Sequence, residues 1–134
     1  MKKLIVILVL ICLFLIACNK EPEESATFLS AILEPSTITS GESTDLILDA
    51  RNNGDLPITL NYKVTSESED RVSFQYPQQL AYPLQPGETT GNKIVKVSAT
   101  SDTVRTDYRI TVLATDSLGE IVYAQKELVL TVTN

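Results

Sequence analysis

The sequence predicts an all-β fold, a sandwich of two sheets with about seven or eight antiparallel strands. Three observations carry that expectation. From Thr27 onward the apolar residues recur with period two rather than 3.6. Turn residues punctuate the chain at regular spacing, at Ser40-Gly41-Glu42, Asn53-Gly54-Asp55, Pro86-Gly87-Glu88 and Asp116-Ser117-Leu118-Gly119. No segment of useful length carries a helical stripe.

The elements follow in order. Thr44–Asn52, TDLILDARN, places Leu46, Leu48 and Ala50 on one face, with Asp45, Asp49 and Arg51 on the other beside Ile47. Ile58–Val64, ITLNYKV, sets Ile58, Leu60, Tyr62 and Val64 against Thr59, Asn61 and Lys63. Asn53-Gly54-Asp55 between them is suited to backbone of positive φ. Val72–Leu84, VSFQYPQQLAYPL, gathers Phe74, Tyr76, Pro77, Tyr82 and Pro83. It reads as strands closing a sandwich edge, with proline blocking edge pairing, or as an aromatic recognition surface. Tyr108–Ala114, YRITVLA, alternates Tyr108, Ile110, Val112 and Ala114 against Arg109, Thr111 and Leu113. Tyr108 is expected in the core or at a tyrosine corner. Asp116–Gly119 closes a last hairpin into Ile121–Val132, whose phase breaks around Gln125–Glu127, as at a β-bulge or a switch of sheet. Half-buried, β-branched strands at this spacing indicate an immunoglobulin-like sandwich, here without the Cys-Trp-Cys pins of antibody domains.

The N-terminus has a different character. Lys2 and Lys3 precede an unbroken apolar run from Leu4 to Ala17, 14 residues long. A bilayer-spanning helix needs roughly 20, whereas a positive n-region before roughly 7–15 apolar residues is the form of a secretory signal peptide. Leu15-Ile16-Ala17-Cys18 resembles the processing box of bacterial lipoproteins. The resemblance implies that residues 1–17 are removed and that Cys18 carries lipid. One chain anchors weakly and two or three hold firmly, so Cys18 would attach the protein to a membrane without a transmembrane helix. Asn19 does not match the Asp that retains lipoproteins in an inner membrane, so the resemblance favours an outer membrane where the host has two. Residues 18–26 then form the lipidated cysteine and an acidic tether, and residues 27–134 the sandwich. Asn19–Ala26, fully extended, would let the domain stand about 25–30 Å off the membrane.

Removing residues 1–17 from the 134 leaves 117 residues, the size of one domain. Nine basic residues then face 17 acidic ones, a formal net charge of −8. Such a chain repels nucleic acid and anionic headgroups. Histidine is absent, Cys12 leaves with the leader and Cys18 is consumed by lipid, so the domain holds neither thiol nor disulfide. That removes Cys and His nucleophiles, histidine bases and Cys/His zinc sites.

Beyond these, Ser40-Gly41-Glu42, LILDARNNGDLPITL, Leu84-Gln85-Pro86-Gly87-Glu88-Thr89 and DYRITVLATDSLGE occur in an order that resembles the immunoglobulin-like accessory modules of bacterial and archaeal surface proteins. These are the CARDB-type domain and the module beside some alpha-galactosidases. The resemblance spans nearly all of residues 27–134 and implies a spacer, adhesion or carbohydrate-enzyme accessory role without catalytic residues.

The remaining chemistry is thin. Asn52, Asn53 and Asp55, Asp102 and Asp107, and Asp116 with Glu120 sit around turns, but their spacing lacks the alternating ligands of a calcium loop. Asp45 and Asp49 share a strand face, which is more readily a charged sheet surface than the carboxylate pair of a glycosidase cleft. The sequence therefore predicts no enzyme, no cofactor and no metal site. It predicts a membrane-anchored envelope lipoprotein whose domain contacts a protein or a glycan, with Phe74, Tyr76 and Tyr82 as the candidate partner-binding residues. A protease-inhibitor-type module, acting through an exposed loop tip, is the alternative.

Overall fold

A computed structural model describes residues 20–102 and 106–134. The processing box, Leu15 to Cys18, lies outside the described residues. Nine strands form among the described residues: β1 (Ala26–Glu34), β2 (Thr37–Thr39), β3 (Ser43–Asn52), β4 (Ile58–Ser66), β5 (Val72–Gln75), β6 (Ala81–Leu84), β7 (Lys93–Ala99), β8 (Thr106–Thr115) and β9 (Val122–Thr133). They make two sheets, β1-β3-β7-β5 and β2-β9-β8-β4-β6.

The alternation read from the sequence is the alternation that packs. Leu46, Leu48, Ala50, Leu60, Ile110, Val112 and Ala114 are fully buried, and Tyr108 joins the core. Burying each large apolar side chain contributes about 1.5–3 kcal/mol. The main cluster joins both sheets through Leu46, Leu48, Val95 and Val97 on one side and Ile110, Val112, Leu130 and Val132 on the other. A smaller cluster, built on Ala26, Ala50, Ile58, Leu60, Tyr82 and Leu84, fills the end where β3 turns into β4.

Three details depart from the expectation. The strand count is nine, because the first strand is divided: β1 pairs antiparallel with β3, and β2 pairs with β9 in parallel at Thr37–Thr39. The chain therefore changes sheet at Pro35–Ser36, not near Gln125–Glu127. The irregularity of the last hairpin lies opposite Ala114 and Thr115, which face Ala124 and Val122 and leave Tyr123 as the extra residue. Gln125, Lys126 and Glu127 are all exposed because β2 covers only the end of β9, leaving the Lys126 region beside an open groove. Finally, Gly54 does not take positive φ; Gly41, Gly87, Gly91 and Gly119 do, and no other described residue does. A Cβ on Gly54 would lie 2.3 Å from the Glu23 carbonyl oxygen and 2.7 Å from the Ser25 nitrogen. Gly54 serves a close approach of two backbones rather than a left-handed turn.

That approach ties down the segment before β1. The Asn53 and Gly54 amides donate to the Ser25 carbonyl at 3.1 and 3.2 Å, and the Asp55 amide donates to the Glu23 carbonyl at 2.8 Å. The Tyr123 hydroxyl donates to Glu24 Oε2 at 3.1 Å. The last part of the expected tether, residues 23–25, is thus bonded to the domain, and β1 begins at Ala26, which is buried.

Candidate functional site: two flanks and an outer sheet face

The sandwich has two flanks where one sheet's edge meets the other's. The segment from Val72 to Leu84 closes the first. β5 pairs with β7 and β6 with β4, so residues 76–80 cross from sheet to sheet. Tyr76 lies on this crossing. Its hydroxyl accepts from the Val64 amide at 2.9 Å and donates to the Val64 carbonyl at 3.1 Å. β6 pairs with β4 only at Ile58–Asn61. The Tyr76 hydroxyl therefore serves the β4 backbone where β6 has ended.

Tyr82 is buried, with its hydroxyl donating to the Gln79 carbonyl at 2.6 Å. Its ring meets Tyr62 at 5.7 Å between centroids, and the Lys93 ammonium sits 5.0 Å from its centre. Burial pushes the Tyr82 phenol up from its ordinary value. Phe74 is half-buried against the main core. The three aromatic residues expected to bind a partner do not form one exposed patch. Tyr82 offers no ring to a surface, Phe74 offers part of one, and Tyr76 is committed to strand closure. A residue list could not distinguish these roles, because each depends on what lies across the sandwich.

Behind them runs a polar thread. Tyr62 stacks on Phe28 at 6.2 Å, and its hydroxyl lies 2.7 Å from Thr90 Oγ1. Thr90 Oγ1 accepts from the Ala50 amide at 3.2 Å and lies 3.3 Å from Asp49 Oδ1 and 2.9 Å from the Gly91 carbonyl. Burial raises the Tyr62 pKa to about 12, with the Thr90 hydrogen bond opposing and Asp49 adding to the shift. Every buried side-chain polar atom among the described residues has a partner, so this thread is structural satisfaction rather than an idle group awaiting a ligand.

The second flank is open. β1 is the outer strand of its sheet, and β9 from Val122 to Leu130 has no strand on its outer side among those described. A groove of about 530 Å³ runs between them, lined by Phe28, Leu29, Ile32, Tyr123, Ala124 and Lys126 among others. Leu29 is 54% exposed and Val122 51%. Leu29 sits where the β1 register slips between Phe28 and Ser30, which turns it outward. Beside the groove, Ile32, Ile47 and Ile94 stand directly opposite one another across β1, β3 and β7. They form an apolar row on the outer face of that sheet, flanked by the Lys96–Asp45 ion pair at 3.1 Å. The sequence carries a signal for the row: Ile47 is an apolar residue on an otherwise charged strand face.

The acidic residues do not converge. Asp45 pairs with Lys96, Asp49 with Thr90, Asp107 with Thr131, and Asp116 accepts the amides of Glu120 and Ile121 at 2.8 and 2.9 Å. Asp102 bonds to Thr100 and Arg71, and these hold its carboxyl below the ordinary value, Thr100 foremost. Among the described residues no group of three or more acidic, His or Cys side chains is arranged to hold a metal ion.

No protein-family model matches the chain, and no curated protein matches it by sequence. Solved structures do. The fold superposes on a FixG-related protein from Vibrio parahaemolyticus with a TM-score of 0.62 at 18% identity, covering 86% of this chain and all of that one. It superposes on native alpha-2-macroglobulin from Escherichia coli, spanning domain MG7 to the C-terminus, with a TM-score of 0.58 at 23% identity. There it covers 84% of this chain and only 17% of that one. A CARDB domain from Pyrococcus furiosus, solved in complex with di-metal ions, gives a TM-score of 0.51 at 13% identity over 84% of this chain and 89% of that one. At these identities the likeness speaks for the fold alone. The two-sheet order and these neighbours together make the chain an immunoglobulin-like β-sandwich module.

Proposed function

We propose that the chain is a lipid-anchored envelope protein whose sandwich is a non-catalytic interaction module for a protein or glycan partner. The anchor rests on Lys2 and Lys3, the apolar run and the Leu15-Ile16-Ala17-Cys18 box. The interaction role rests on one observation above the rest, the open flank between β1 and β9 with its exposed Leu29, Ile32 and Val122. Unpaired strand edges beside apolar side chains are the setting in which another chain adds to a sheet. The flank replaces Phe74, Tyr76 and Tyr82 as the surface to test, since those side chains are engaged in closing the opposite flank.

The protease-inhibitor alternative calls for a stiff apolar loop tip. Leu118 fits that description locally, at 77% exposed on a turn held by Asp116. It lies, however, at the end where residues 23–25 meet the domain, and on the proposed anchoring at Cys18 that end would face the membrane rather than a protease.

The test uses tagged full-length protein in intact cells. Wild type is expected in the detergent phase of a detergent–water partition and Cys18→Ala in the aqueous phase. Crosslinking should recover a partner that the Leu29→Lys/Ile32→Lys variant loses while keeping its fold by circular dichroism. A Cys18→Ala protein that stays in the detergent phase would refute the anchor. An unchanged crosslinking pattern in the double variant would refute the flank.

A further inference from the structure

The strands fix two ends to the sandwich. One end carries the turns at residues 53–57, 85–91 and 116–121 and the entry of β1. The other carries residues 35–36, 40–42 and 67–71. Residues 23–25, which lead back toward Cys18, belong to the first end, since Glu23 and Ser25 are bonded to Asn53–Asp55 and Glu24 to Tyr123. Glu23 stands only five residue steps along the chain from Cys18. At full extension they span roughly 17 Å, against the 25–30 Å that a free tether would give.

At the same end the β8–β9 turn presents Leu118, 77% exposed, and Ile121, 48% exposed. The turn is stiff. Asp116 Oδ1 accepts the amides of Glu120 and Ile121, the Gly119 amide donates to the Asp116 carbonyl at 3.1 Å, and the Asp116 amide donates to the Ile121 carbonyl at 3.0 Å. A stiff apolar tip loses little conformational freedom on burial. It sits beside Tyr123, which binds the very segment that runs to the anchor.

We infer that the Leu118 turn is a second, non-covalent membrane contact, which inserts Leu118 at the bilayer surface and fixes which end of the lipid-anchored domain faces the membrane. The inference rests on the anchoring at Cys18 proposed above. The contact is chemically selective. Glu23, Glu24, Asp55, Glu88 and Glu120 outnumber Lys20 and Arg51 at the same end, so anionic headgroups repel it and zwitterionic headgroups suit it. The domain then presents its far end away from the lipid, and the β1–β9 groove starts beside the membrane end and runs away from it.

The protein contains no tryptophan, which makes the test clean. Full-length lipidated protein is reconstituted into phosphatidylcholine vesicles containing a bromine-labelled phosphatidylcholine that quenches indole fluorescence on contact. One tryptophan is introduced as Leu118→Trp, and in a second protein as Glu69→Trp at the far end. Several-fold stronger quenching of the Leu118→Trp reporter is expected, weakening when phosphatidylglycerol replaces half the lipid. Because tryptophan itself favours interfaces, a third reporter, Pro86→Trp, is measured with Leu118 intact and with Leu118→Asp; quenching should fall in the second. Equal quenching of the Leu118→Trp and Glu69→Trp reporters on protein that floats with the vesicles would overturn the contact while leaving the anchor standing. So would a Pro86→Trp signal indifferent to Leu118→Asp. Protein that fails to float at all would refute the anchor and the contact with it.

Discussion

Gly54→Ala is the most discriminating single perturbation of this fold. Gly54 has negative φ, so alanine meets no backbone strain there. The added Cβ would instead stand 2.3 Å from the Glu23 carbonyl oxygen, a backbone atom that cannot rotate aside. The segment 23–25 must lift off. Three backbone hydrogen bonds, from Asn53, Gly54 and Asp55, then open. At roughly 0.5–1.5 kcal/mol each, less what water returns to these partly exposed groups, the local cost comes to about 2 kcal/mol. Every 1.4 kcal/mol is tenfold, so the open population should rise about 25-fold. The Asn53 and Asp55 amides report this by hydrogen exchange, and cleavage after Glu23 or Glu24 by a glutamate-specific protease should accelerate in proportion. The core is untouched, so the thermal midpoint should move far less than the local exchange. Asn53 and Asp55 protection unchanged within twofold would refute the steric argument. It would also remove the reason for the short reach to Cys18.

Two further outcomes follow from the closed flank. Tyr76→Phe keeps the ring and deletes the hydroxyl that serves both Val64 backbone groups, so it should lower stability by about 1–3 kcal/mol in denaturant unfolding; an unchanged midpoint would return Tyr76 to the role of a surface residue. Tyr62 has a folded pKa of about 12 against an ordinary 10.0, so the folded state keeps its proton after the unfolded state has lost it. Stability is therefore whole below pH 10 and declines between pH 10 and 12. Tyr62→Phe should flatten that part of the pH–stability curve, and a slope identical to wild type would assign the alkaline loss elsewhere.

The pattern of the core was legible because it is local. In β3, β4 and β8 the period of two states which side chains point inward, and Leu48, Leu60 and Ile110 are buried as their alternation requires. What the alternation cannot state is which backbone lies across from which. Gly54 reads as a turn glycine because Asn-Gly-Asp is turn chemistry, yet the atoms that demand it belong to Glu23 and Ser25, some thirty positions earlier. The divided first strand is hidden for the same reason. Thr37–Thr39 is too short to show a period, and only its pairing with Thr131–Thr133 makes it a strand. The aromatic cluster at 74–82 was visible as a cluster, but the division of its members between core, closure and surface depends on β4, β6 and β7.

The same contrast explains why the two flanks differ in what they can do. On the β5–β6 side the chain supplies its own closure: a tyrosine hydroxyl takes the place of a strand on β4, and Tyr82 and Leu84 seal the interior. On the β1–β9 side the chain spends its closing strand elsewhere, because β2 crosses at Pro35 to cover only the last three pairs of β9. Edges left open in this way are usually blunted by charge or proline. Here Lys126 and Glu127 stand on β9, but Leu29, Ile32 and Val122 are exposed beside them. A domain with 14 acidic residues between positions 27 and 134 has charge enough to cover an idle edge. Apolar side chains kept there instead are the reason this flank, and not the self-closed one, is the surface on which a partner is proposed.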